Sequence, residues 1–166
     1  SSPGTGRPGP ASGTSEPTPS GTCPSRSTSF PPIRTADAVP NNLPPQLTTF
    51  IGRRSHVTAV LSLLATRRFV TLTGPGGTGK TRLALQAAEE AAAGHDGVYF
   101  VPLASIAEPD LVVPTIVSTM GLRIEAEYLE RLVEYLTGKR WLLVLDNFEQ
   151  VLDAAPDVAR LVASCP

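Results

Sequence analysis

Eight consecutive residues, Gly74-Pro75-Gly76-Gly77-Thr78-Gly79-Lys80-Thr81, place four glycines beside one ammonium and two hydroxyls. The string fits GxxxxGK[ST], the pattern of a loop that cradles phosphate. Glycine leaves room for successive backbone N–H groups to converge on phosphate oxygens without a Cβ in the way. A helix opening near Gly79 adds the positive end of its dipole. Lys80 then neutralises the β- and γ-phosphates, and Thr81 offers its hydroxyl to Mg²⁺. Arg82 follows within the same first turn. The run Gly74 to Arg82 is thus a candidate site for a purine nucleoside triphosphate, and ATP is favoured because no guanine-reading NKxD pattern occurs.

A second signal lies further on. Leu142 to Leu145 are all apolar and carry Asp146 to the end of a predicted strand. This is the Walker-B pattern, in which a carboxylate helps to hold Mg²⁺. Thr81 and Asp146 are therefore the candidate metal-binding pair. The position after Asp146, often a second acid, is Asn147, which can orient a water but cannot deprotonate one at neutral pH. Glu149 is near and also suits the opening of the next helix. Asp146, Asn147 and Glu149 form the candidate catalytic group, and their make-up predicts tight binding with slow or partner-dependent hydrolysis.

These residues need a strand before the glycines, a helix after them and a second strand ending at Asp146. Val57, Val60, Leu61 and Leu64 recur at helical spacing and predict a helix over 53–66. FVTLT at 69–73 is a short β-branched run and predicts a buried strand. RLALQAAEEAAAG predicts a helix closed by Gly94. GVYFVPL predicts a strand over 97–103, and helices follow over 109–120 and 125–137. RWLLVLDN at 140–147 predicts a third strand, and the remainder to Ser164 is helical in pattern with a break near Pro156. Strands alternating with helices predict an α/β fold with a parallel sheet.

Composition divides the chain. Eleven of the seventeen prolines precede residue 46, among Ser, Thr and Gly. Such a stretch buries too little apolar surface to offset chain entropy. Residues 1–45 are expected to be a disordered low-complexity linker and 46–166 a P-loop domain. The net charge of −1 lacks the footprint of a nucleic-acid binder. Cys23 and Cys165 form neither a metal spacing nor a disulfide framework. No signal peptide or membrane-length apolar run is evident, so a soluble cytoplasmic protein is expected. His56, His95, Tyr128 and Tyr135 suit surface or helix-face positions, and Trp141 suits a strand edge. The chain has no initiator Met and stops at SCP, which reads as a fragment of a larger protein.

Four blocks, LPPQLTTFIGR, FVTLTGPGGTGKTRLALQAA, GVYFVPLA and WLLVLDNFEQVLDA, occur in an order and spacing that carry a resemblance. Over about residues 43 to 166 the chain resembles the ATPase domain of large bacterial transcriptional regulators. These are STAND-class, NB-ARC-like proteins of LuxR and SARP type. The resemblance implies a signal-controlled ATP/ADP switch that self-associates or meets a regulatory partner in the full-length protein. It also implies that Ile51 and Arg53, within Phe50-Ile51-Gly52-Arg53, contact adenine, although Arg54 replaces the usual acid of that motif. In this class the strand after Walker B lies between the P-loop and Walker-B strands. That strand is absent here, so a P-loop sheet with a gap in its middle is expected. The alternatives are an AAA+-like turnover ATPase and a truncated product without independent activity.

Overall fold

A computed structural model of the chain describes residues 39–46 and 52–165. Its elements are α1 (Arg54–Leu64), α2 (Lys80–Ala91), β1 (Gly97–Pro102), α3 (Val112–Thr119), α4 (Tyr128–Leu136), β2 (Trp141–Asp146) and α5 (Ala155–Ser164). Short 3-10 turns precede α3 and α5 and follow α2. The two strands pair in parallel, from Gly97 opposite Trp141 to Pro102 opposite Asp146. The link between them passes through α3 and α4, as a parallel connection requires. Among the described residues no helix is long and apolar enough to cross a membrane.

The apolar periodicities close two cores. The larger gathers β1, α3, α4 and α5, with Val101, Leu103, Ile116, Leu132 and Val151 almost fully buried. The smaller joins Val57 and Val60 of α1 to Ala87 of α2, with Leu61, Leu64, Leu72 and Leu83 against it. The glycine-rich loop leads into α2, whose Ala87 lies in the smaller core, and Asp146 ends β2, whose Leu145 packs on the larger.

Two expected elements differ. FVTLT at 69–73 is not a strand: it joins no ladder among the described residues, Phe69 is exposed, and Leu72 packs on α1 and α2. A strand exists only with a partner for its backbone groups, and the two-stranded sheet places none beside this segment. The helix expected from Phe148 likewise differs. Residues 148–150 and 152–154 are 3-10 turns, and α5 begins at Ala155 with Pro156 in its first turn. Proline suits that position because its missing N–H has no helical acceptor there. Pro156 thus starts the helix rather than breaking it.

Residues 39–42 lie along the outer edge of β1. Val98 N donates to Pro40 O at 2.9 Å, and Asn41 bridges Val98 in parallel. This contact falls inside the stretch that composition assigns to the linker.

At the amino end of the sheet Trp141 packs over Gly97, with Tyr99 at 5.8 Å and Tyr135 at 5.5 Å between ring centroids. Lys139 Nζ sits 4.1 Å from the centre of the Tyr135 ring, a cation–π contact. Burial raises the pKa of Tyr135, and the neighbouring Tyr99 raises it further. Burial raises that of Tyr99 as well.

Candidate functional site

The loop from Gly74 to Gly79 leads directly into α2. Gly79 takes φ +79°, a left-handed conformation costly for a residue with a side chain, and its carbonyl accepts the first helical bond, from Leu83 N at 3.0 Å. The first turn of α2 carries no acidic residue. Nothing within that turn therefore neutralises the positive end of the helix or its N–H groups without helical acceptors.

Lys80 bends back over its own loop. Nζ donates to Gly74 O at 2.8 Å and to Pro75 O at 3.0 Å. An ammonium has three donors, so one N–H remains for an incoming anion. Thr78 Oγ1 closes the loop from the other side, donating to Pro75 O at 2.8 Å. These bonds fix the loop with its ammonium already inside it. Gly76 and Gly77 border open space, where a Cβ would meet nothing within 4 Å. Arg82 lies half-buried in α2.

Across 65 residues, Thr81 Oγ1 donates to Asp146 Oδ1 at 2.8 Å. This bond ties the first turn of α2 to the carboxyl end of β2. It brings together one hydroxyl and one carboxylate, hard oxygens of the kind Mg²⁺ takes beside phosphate and water. Among the described residues no group of three or more His, Cys, Asp and Glu could hold a metal by itself. The donor set fits a cation that shares its shell with a bound phosphate.

The remaining site residues expected from sequence separate. Asn147 follows Asp146 in a left-handed conformation, φ +61°, and starts the 3-10 turn of 148–150. Glu149 is exposed on that turn and makes no hydrogen bond or ion pair among the described residues. Arg53 reaches the loop, its Nη1 donating to Thr78 O. Ile51 lies outside the described residues. Asn42, missed in the sequence, bonds β1 through its side chain at both Phe100 N and Phe100 O. The second of two asparagines between prolines gives no periodic signal, and its partner is 58 residues away.

A family model described as AAA domain matches residues 64–164. An uncharacterized Mycobacterium tuberculosis protein is 39% identical over 126 residues, covering 72% of this chain and 32% of that protein. Another from the same species, named provisionally as an HTH-type transcriptional regulator, is 44% identical over 108 residues, 63% of this chain and 12% of its own length. A nucleotide-binding leucine-rich repeat (NLR)-like protein of Hyaloscypha variabilis is 31% identical over 121 residues, 64% of this chain and 12% of its own. The chain thus spans a third or less of the length of these curated relatives. No solved structure matches at a significant level. With its glycine loop, following helix and parallel strand pair, and a match over more than half its length, the chain belongs to the AAA-domain family of P-loop NTPases.

Proposed function

We propose that this chain is an ATP/ADP-binding switch module of a signal-responsive transcriptional regulator of STAND, NB-ARC-like type. One observation carries the reading. Lys80 is held inside the loop that opens α2, while the next residue, Thr81, bonds to Asp146 at a strand end. Lys80 and the α2 N-terminus bind the phosphates, and Thr81 and Asp146 place Mg²⁺, which when bound neutralises phosphate charge. The names of the HTH-type and NLR-like relatives support a regulatory setting. Asn147 cannot act as a base, and Glu149 stands on an exposed turn with no side-chain partner among the described residues. Hydrolysis is therefore slow or depends on a partner.

The test is calorimetric titration with ATP and ADP, with and without Mg²⁺, beside Asp146→Asn. The asparagine oxygen still accepts from Thr81 but carries no charge. Mg²⁺ should tighten ATP binding in the wild type, and Asp146→Asn should remove about tenfold of that gain. No ATP binding by the folded wild type sinks the reading.

We further propose that another strand pairs with the edge of β2 that β1 leaves free. Every residue of β2 stays partly exposed despite its apolar sequence, and 69–73 joins no ladder among the described residues. An open apolar strand edge invites a partner. Amide exchange should slow at least about tenfold on the free side of β2 when the chain is extended by the segment that follows in the relatives. Equal exchange in both chains rules the strand out.

A further inference from the structure

We propose that Asn42 is a positioning residue for the nucleotide site, clipping the chain upstream of Arg53 to the outer edge of the sheet. The proposal rests on the nucleotide-binding reading. It concerns residues that lie outside the AAA-domain match at 64–164.

The clip has defined chemistry. Asn42 Nδ2 donates to Phe100 O at 2.9 Å, while Phe100 N donates to Asn42 Oδ1 at 2.7 Å. A primary amide here does what a peptide group of a neighbouring strand does, satisfying both backbone groups of one edge residue. Val98 N, two residues earlier, donates to Pro40 O. The edge is closed at both positions. Beyond Asn42 the ladder cannot continue, because Pro44 and Pro45 lack an N–H.

Direction ties the clip to the site. The bridge at Asn41 is parallel to β1, so the chain leaves Asn42 toward the carboxyl end of the sheet. That is the end where β2 delivers Asp146 to Thr81. The next described side-chain anchor to the site is Arg53, on the carbonyl of Thr78. Ten residues of chain, 43–52, spanning at most about 40 Å, thus run between an anchor on β1 and an anchor on the P-loop. α1 holds Arg53 from the downstream side through Val57 and Val60. Asn42 holds it from upstream. Releasing the upstream anchor leaves Arg53 held from the downstream side alone, and nucleotide binding must then bear the cost of positioning it.

The experiment measures Mg²⁺-ATP affinity for wild type, Asn42→Ala, Arg53→Ala and the double variant, with amide exchange at Val98 and Phe100. Asn42 is exposed, so its loss leaves the cores intact. Asn42→Ala should speed exchange at Phe100 about tenfold and weaken ATP binding about three- to tenfold. The double variant should bind no more than about twofold more weakly than Arg53→Ala, since both changes act through Arg53. Faster exchange at Phe100 with unchanged affinity overturns the proposal, as do additive losses. A wild-type chain that does not bind ATP overturns the reading beneath it, and the wild-type titration separates that failure from the others.

Discussion

Lys80→Ala should lose ATP binding while keeping the fold. The ammonium donates to Gly74 O and Pro75 O in the loop, both exposed residues that water can satisfy once the side chain is gone. The effect on stability should therefore stay below about 1 kcal/mol. Binding is another matter. A charge-assisted bond to phosphate contributes about 1.5–3 kcal/mol, so affinity should fall roughly ten- to a hundredfold. Calorimetric titration gives the affinity, and a thermal melt of the same sample gives the stability. Undiminished ATP binding by the variant would place the phosphates elsewhere. A variant that binds weakly only because it has unfolded would show the loop bonds to be structural.

Gly97→Ala should be the most damaging small substitution in the sheet. A Cβ at this position would lie 1.9 Å from one ring carbon of Trp141 and 2.3 Å from another. The indole cannot swing away freely, because Tyr99 and Tyr135 pack against it. The strands cannot part without breaking the pairing of Gly97 with Trp141. Overpacking of this kind costs about 1–3 kcal/mol, and pulling the indole off either tyrosine ring adds about 0.5–1.5 kcal/mol. The melting temperature should fall by roughly 10 °C or more. Trp141→Ala destabilises too, because the indole no longer buries its apolar surface, but in that background Gly97→Ala should cost little, since the obstruction is gone. Additive losses in the double variant, or a Gly97→Ala chain melting within about 2 °C of wild type, would remove the clash as the cause.

The parts of the fold set by local chemistry were open to reading. Apolar spacing at Val57, Val60, Leu61 and Leu64 placed α1, and the glycine pattern placed the loop and the start of α2. The run ending at Asp146 placed β2, and Asp146 bonds to Thr81, the residue paired with it as a candidate metal ligand. What local sequence cannot carry is partnership. FVTLT has the composition of a strand, but pairing depends on what lies beside it. Pro156 looks alike as a helix breaker and as a first-turn residue, and only the turns before it decide. Asn42 hides for the same reason. Its amide is ordinary among prolines until β1 supplies a peptide group to match. Gly97 reads as a strand boundary until the register sets it against Trp141.

Trp141 is the chain's single tryptophan, and two of its three tyrosines stand within 6 Å of it, ring centre to ring centre. Light absorbed by Tyr99 or Tyr135 is thus handed to the indole before it can be emitted, and the folded chain fluoresces mainly as tryptophan. The phenols come from β1 and α4, the indole from β2. Tyrosine emission reappears only when those three elements part. The protein carries a built-in optical gauge of its sheet, at the opposite end of β2 from Asp146, and needs no attached dye to use it.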